Sequence, residues 1–380
     1  MSETADILVI GAGIAGASAA YELSRLGRVV LLERESQPGY HASGRSAAHL
    51  LENYGPPLVR SLVRRSRAFM ADPPDGFADH PLLAPRATLV VSPPGEEARF
   101  RAELAAAQSV TPSIQTVTPE EACAMVPVLR PELIGAAMLE PDSAALDVHG
   151  LLQGFLRGAR ARGARLMTDA EVTALRREGA AWTADTRAGR FAAGLVVNAA
   201  GAWADEVAAL AGVAPIGLVP KRRTAFVFEG PADIDTAGWP MITDLAESWY
   251  IRPESGHLLG SPADATPVPP QDVQPEELDV AIAVDRIERA TTLSVRRILR
   301  RWAGLRSFVG DGNPVNGMDP EADGFYWLAG QGGYGIETSP AMARAAAALI
   351  EHGALPEDLV QAGISVAALG VTRLRRSAAA

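Results

Sequence analysis

Residues 6–34 read DILVIGAGIAGASAAYELSRLGRVVLLER: an apolar strand, a glycine turn, a helix, and a second apolar strand ending on an acid. No other feature narrows the fold so far, because a βαβ unit commits the chain to an open parallel sheet with helices on its faces. Gly11 permits the tight strand-to-helix turn, Gly13 lets the backbone approach a pyrophosphate, and Gly16 lets the helix pack close to the sheet. The helix N-terminus offers free N–H groups and a partial positive charge to an anion. Glu33, 22 residues after Gly11, stands where a carboxylate accepts hydrogen bonds from a ribose diol.

The segment beyond this acid decides between dinucleotides. A nicotinamide enzyme ordinarily continues with further βαβ units, whereas here residues 35–50 read ESQPGYHASGRSAAHL. Arg34 beside Glu33 could answer the 2′-phosphate of NADP, but a glycine- and serine-rich loop suits a larger cofactor whose second half lies along the backbone, and the reading is FAD. In that loop Gly44 allows close approach, and Ser43, Arg45 and Ser46 can donate to pyrophosphate or to ring carbonyls. The rival role for Arg45 is a surface salt bridge, and for His49 a structural histidine.

With 380 residues, two domains are expected. A net charge of −10 argues against nucleic acid, which calls for a basic face. The stretches VRRSR at 63–67 and VRRILRR at 295–301 read as solvated helix faces. Cys123 is the single cysteine, so no internal disulfide or cysteine-based metal cluster is expected. It lies in a short helix opened by a Thr118/Glu121 capping box and reads as a buried structural thiol. Histidines 41, 49, 80, 149, 257 and 352 show no ligand spacing, so no metal is expected. No targeting or membrane-spanning stretch is evident, which gives a cytoplasmic expectation.

The expected fold class is α/β: a Rossmann-like FAD-binding domain interleaved with an α+β, mixed-sheet substrate-binding domain. Helices are predicted at 56–70, 96–108, 118–126, from Asp147 to about 162, and at about 276–299; strands are predicted at 87–92, 136–140 and in RLMT, EVTAL, AWTAD and GLVVNAA. Residues 1–50, 145–218 and 303–380 are assigned to the FAD-binding domain, and 51–144 and 219–302 to the substrate-binding domain. The site is expected between them. Near the C-terminus, GQGGYGIETSPAMARAAAALIEHG predicts a glycine loop, Ser339 as N-cap, Pro340 at the first helical position and Gly353 as the stop. A helix start aimed at a flavin would stabilise charge developing on the ring. Arg223 in PKRRTAF and Arg306 in WAGLRSF are flanked by apolar residues, the pattern of arginines that hold a carboxylate inside a dry pocket. Arg222 competes with Arg223, since strand alternation turns only one of them inward.

GAGIAGASAAYELS, PGYHASGRSAAH, VVNAAGAWADEVAALAG and GQGGYGIETSPAMA together resemble the D-amino-acid oxidase-type flavoproteins over almost the whole chain. HPLLAPR at 80–86, PKRRTAF at 220–226 and WAGLRSFVGDG at 302–312 are similar, within that family, to FAD-dependent D-arginine dehydrogenases. The resemblance implies that FAD, held non-covalently, touches Gly11, Gly13, Ile14, Ala15, Gly16, Glu33, Arg34, Ser43, Gly44, Arg45, Ser46, Ala47, Ala48 and His49. It extends that set to Val172, Ala200, Gly201, Trp203, Arg306, Gly332, Gly333, Tyr334, Gly335, Ile336 and Thr338.

The resemblance also implies that Arg223 and Arg306 bind a substrate carboxylate with Tyr250 as a third contact, while Tyr54 and His49 lie near the amine and help remove its proton. Hydride transfer to the flavin would then give an imine, hydrolysed to a 2-oxo acid and ammonia. Thr88 stands where the D-arginine enzymes carry a glutamate for the guanidinium, and Leu51 replaces a threonine. Both departures shift the expectation to neutral or apolar D-amino acids or a cyclic imino acid such as D-proline. The implied activity is a D-amino-acid dehydrogenase passing electrons to a quinone or another acceptor. The alternatives are an oxygen-using glycine or sarcosine type oxidase, or a flavoprotein subunit without turnover of its own.

Overall fold

The structure is a computed structural model and describes residues 3–377. The opening βαβ unit forms as its sequence dictates. Strands Ile7–Ile10 and Val29–Leu32 are buried along their whole length, as parallel strands covered on both faces must be. They sit at the centre of a six-stranded sheet whose order is Arg165–Met167, Val29–Leu32, Ile7–Ile10, Leu195–Asn198, Phe325–Ala329, Val315–Met318. All of its pairings are parallel except the last. Helix Ile14–Leu23 covers one face together with Val148–Ala161 and Gly335–His352, burying Ala17, Ala20, Leu151, Phe155 and Ala345. Alanine and glycine on these helices set the close approach.

The second sheet is mixed and larger. In order along it lie Thr266–Pro267, Val219–Phe228, His257–Ser261, Tyr250–Glu254, Met241–Asp244, Thr88–Ser92, Ala136–Glu140 and Gln115–Val117, and Ile298–Phe308 pairs with the free side of Val219–Phe228. Strand alternation divides its residues by face. Leu89, Val91, Ala137, Ile242, Ile251, Phe226 and Phe228 pack with Val280, Ala283 and Ile287 of helix Glu277–Ala290. The opposite face, carrying Thr88, Val90, Glu140, Thr243 and Tyr250, looks onto a cavity.

Three local expectations need correction. The helix predicted to about 299 ends at Ala290, where Thr291 turns extended and its hydroxyl donates to Ile287 O at 2.7 Å. VRRILRR therefore leads into strand Ile298–Phe308 rather than lying on a helix, although Arg297, Arg300 and Arg301 remain exposed. That strand carries residues 303–308 into the large sheet, not the six-stranded one. The last long helix starts at Gly335, so Ser339 is no cap and Pro340 lies inside it. Proline cannot donate to the carbonyl one turn back, that of Ile336, and Ser339 Oγ fills the gap by donating to Ile336 O at 2.8 Å. Hairpin strand Gly189–Ala193 lies outside the strands predicted from sequence. The Thr118/Glu121 capping box, the Asp147 N-cap and the left-handed Gly353 stop are present as predicted.

Candidate active site

A cleft of about 540 Å³ runs over the glycine turn. Gly11 has φ +97°, and a Cβ there would lie 2.6 Å from Ala199 O. Glu33 Oε2 accepts from Ala12 N at 2.8 Å and Oε1 from Glu35 N at 3.0 Å. Burial pushes this carboxyl above its ordinary value, against those two N–H groups. Ser43 Oγ accepts from Ile14 N at 2.9 Å and so seats the 39–46 loop on the start of the first helix. The Arg34 guanidinium lies 5.0 Å from the Trp203 ring and 3.1 Å from Glu171. An arginine so engaged is not free for a second phosphate, which favours FAD over NADP.

Of the predicted cofactor residues, Gly11, Gly13, Ile14, Ala15, Glu33, Arg34, Ser43, Arg45, Ser46, Ala47, Val172, Ala200, Gly201 and Trp203 line this cleft, as do Arg306, Gly332, Gly333, Gly335 and Ile336. Others do not. Gly16 and Gly44 shape turns instead, their absent side chains making room for Gly11 O and Gly39 O. Ala48 and His49 line a second cavity. Thr338 spends its hydroxyl on Tyr334 O at 2.8 Å, and the Tyr334 ring packs edge-on 5.2 Å from Tyr54. Arg45 borders the cleft and is paired with Asp272, Val273 O and Ala303 O, contacts of the kind its rival salt-bridge reading expects. Sequence reasoning missed Gln331, whose buried Nε2 has no partner and lies in the cleft wall. An orphaned donor, a left-handed glycine turn and a helix start facing one long cleft fit a dinucleotide such as FAD.

A second cavity of about 220 Å³ adjoins the first. Ser46, Ala47, Arg223, Tyr250, Arg306, Gly333 and Ile336 border both, so this is where a substrate would meet the cofactor. Sheet register places the two arginines together. Arg223 pairs with Gly304 and Lys221 with Arg306 on neighbouring strands, so Arg223 and Arg306 project from one face on a diagonal whose other corners are Gly304 and Lys221. Arg222 turns to the opposite face and pairs with Glu276 at 2.8 Å and Asp279 at 2.9 Å. Arg306 lies flat against Gly333, where a Cβ would stand 2.8 Å from its Nη1, and donates to Tyr54 Oη at 3.3 Å. Arg223 Nε is buried without a partner. Burial, then the like charge of Arg306, draws the Arg223 guanidinium below its ordinary pKa, yet arginine stays protonated. Two adjoining cations with unspent donors demand an anion.

His49 departs from its expected role. Its Nε2 is 3.0 Å from Thr88 Oγ1, which is 2.9 Å from Ser143 Oγ, while Nδ1 is buried and unpartnered. Burial, with the charges of Arg252 and Arg86, pulls the imidazole down to about 3. A base that weak is poorly matched to an amine proton. Thr88 lies at the cavity wall as expected, tied to His49 and Ser143. Glu140, directly across the strand pair from Thr88, and Glu337 also line this cavity; neither was anticipated, since register and topology alone bring them there.

Among the described residues, no helix is long and apolar enough to cross a membrane, and no group of three or more histidine, cysteine, aspartate or glutamate side chains could hold a metal ion. The sequence model of the DAO family, FAD dependent oxidoreductase, matches residues 6–349. Glycine oxidase of Geobacillus kaustophilus is 28% identical over 373 residues, covering 94% of this chain and 96% of that one. Its crystal structure superposes with a TM-score of 0.85 at 25% identity, covering 98% of this chain and 99% of that one. Human mitochondrial dimethylglycine dehydrogenase is 25% identical over 391 residues, with 94% of this chain matched to 44% of that relative, so the chain spans less than half its length. L-Proline dehydrogenase from P. horikoshii shares the fold with a TM-score of 0.83 at 23% identity, over 99% of each chain.

Proposed function

The chain belongs to the FAD dependent oxidoreductase family, and from that premise we propose that it oxidises the Cα–N bond of neutral or apolar D-amino acids to imines, which hydrolyse to 2-oxo acids and ammonia. The observation that carries this reading is the Arg223–Arg306 pair, with Tyr250 and Tyr54 beside it, at the junction of the two cavities. FAD, when bound in the cleft, supplies the two-electron acceptor for the hydride leaving Cα. The protein's part is to fix the carboxylate on the two guanidiniums, orient the amine with the tyrosines, and shield the junction from water. The N-terminus of helix Gly335–His352 borders the same cleft and favours negative charge there.

The D configuration and the dehydrogenase reading are supported by the likeness of the site motifs to D-arginine dehydrogenases. A glycine or sarcosine type oxidase is the second reading, supported by the name of the Geobacillus kaustophilus relative, a glycine oxidase, whereas the dimethylglycine and proline relatives are dehydrogenases. A neutral side chain is supported by Leu51, Thr88, Val90, Met138 and Met241 in the cavity wall, which also carries Glu103, Asp244 and Glu247. Glu140 refines this. Burial, then the charge of Glu52, pushes its carboxyl up to about 7, so it is largely protonated below that pH and available to a cation only above it.

The test is anaerobic mixing with D- and L-amino acids, sarcosine and D-proline, followed by admission of air. D-leucine, D-phenylalanine or D-proline should bleach the flavin, and the bleaching should persist in air until an artificial acceptor is added. Any D-arginine turnover should rise relative to D-leucine as the pH passes 7. A higher kcat/KM for D-arginine than for D-leucine or D-phenylalanine at pH 7 would overturn the neutral preference, and rapid reoxidation with peroxide would select the oxidase.

A further inference from the structure

Two carboxyl groups that line the smaller cavity are more than nine-tenths buried, Glu140 at 8% exposed and Glu337 at 5%. Glu337 stands in the first turn of helix Gly335–His352, directly after the segment that borders both cavities. It accepts one hydrogen bond, from Leu51 N at 3.2 Å. A buried carboxyl without a cationic partner is costly and marks a functional position.

An amino acid whose carboxylate rests on Arg223 and Arg306 carries its ammonium on the adjoining carbon, so the ammonium lies at the same junction. Of the five carboxyl groups that line this cavity, Glu103, Glu140, Asp244, Glu247 and Glu337, only Glu140 and Glu337 are buried. Tyr54 Oη already receives a hydrogen bond from Arg306. His49 is tied to Thr88, and Glu140 lies across from Thr88 on the sheet and is not among the residues that border both cavities. We propose that Glu337 is the acceptor of the substrate α-ammonium proton. In this step an N–H bond breaks, its electron pair stays on nitrogen as the lone pair that expels the hydride, and the proton moves to a Glu337 carboxylate oxygen. Nothing is oxidised in the transfer itself.

The surroundings suit the task. Burial pushes Glu337 up to about 8; the Leu51 N–H and Arg306 pull it down, and Glu140 pushes it further up. Tyr334, on the same turn, is held up at about 12 and stays a neutral phenol. A carboxyl near 8 lies far closer to an amino group than an ordinary glutamate does, which is the match general-base transfer needs. The inference rests on the amine-oxidising reading above.

The experiment is stopped-flow anaerobic reduction of the holoenzyme by the most reactive amine of the panel, from pH 6 to 10, for wild type, Glu337→Gln and Glu140→Gln, with thermal melting at the same pH values. Wild type should accelerate through about pH 8 to a plateau. Glu337→Gln, which keeps an oxygen for Leu51 N, should lose that limb and about 100-fold of the plateau rate, whereas Glu140→Gln should keep the limb at slightly lower pH. Melting reports the same group without turnover. A carboxyl at 4.5 unfolded and about 8 folded binds its proton more tightly in the native state, so wild-type stability falls as pH rises from 4.5 to 8, and Glu337→Gln should flatten that slope. Glu337→Gln with a wild-type rate profile, or loss of the limb in Glu140→Gln instead, would overturn the proposal. Wild-type flavin that no amine bleaches would overturn the functional reading itself.

Discussion

Replacing Arg306 with lysine should lower kcat/KM about 100-fold, on the order of 3 kcal/mol, almost all of it as a higher KM. Truncating one side of a desolvated, hydrogen-bonded charge pair costs roughly 2–5 kcal/mol, and lysine keeps the charge while losing the planar fork. The lysine ammonium would also forgo the flat seat that Gly333 provides for the guanidinium. Arg223 amplifies the loss, because its unpartnered Nε and its repulsion with Arg306 are relieved when an anion sits between them. A simple carboxylate with no amine, titrated against the flavin spectrum, should lose affinity in parallel, since it meets only the clamp. Arg222→Lys is the contrast. That guanidinium faces Glu276, Asp279 and Asp264 on the far side of the sheet, so its replacement should lower thermal stability and leave KM unchanged. A KM effect confined to Arg222→Lys would show that the inward arginine had been misassigned.

The contrast between those neighbours also shows what the chain discloses before it folds. Alternation says that one of Arg222 and Arg223 faces the site, but only the position of helix Glu277–Ala290, with its acids waiting for Arg222, tells which. The βαβ unit, the Thr118/Glu121 box and the Asp147 cap are legible because each is written within a few residues and decided by local geometry. Strand Ile298–Phe308 is not, since an arginine-rich run fits an exposed helix and an exposed strand equally well, and pairing with Val219–Phe228 settles it. Glu140 and Glu337 lie about 200 residues apart and meet one cavity only through sheet register and helix placement. His49 is the sharpest case. Its chemistry is set first by burial and then by Arg252 and Arg86, none of which its sequence neighbours disclose, and together they make the imidazole too weak a base for an amine proton.

Gly16→Ala should yield colourless protein that melts far below wild type, an effect out of proportion to one methyl group. The Cβ it adds would lie 1.8 Å from Gly11 O and 3.0 Å from Gly11 C. These are backbone atoms, so no rotamer change can relieve the contact, and either the helix Ile14–Leu23 must lift from the sheet or the turn must open. Lifting the helix breaks its packing on Gly335–His352 and Val148–Ala161 in the main core. Opening the turn removes Ala12 N from Glu33 and Ile14 N from Ser43, the contacts that hold the cleft in shape. Overpacking a core costs about 1–3 kcal/mol when side chains can yield, and here they cannot, so the upper end or more is expected. Loss of cofactor compounds it, because a ligand bound only to the native state stabilises that state in proportion to its affinity. Gly76→Ala calibrates the result, having a left-handed φ of +75° but nothing within 4 Å of the new methyl. It should cost only the backbone penalty of about 1–2 kcal/mol and remain yellow. The flavin-to-protein ratio and the melting temperature of both variants decide the matter. A yellow Gly16→Ala protein with near wild-type melting would mean that the glycine turn does not hold the cofactor as described.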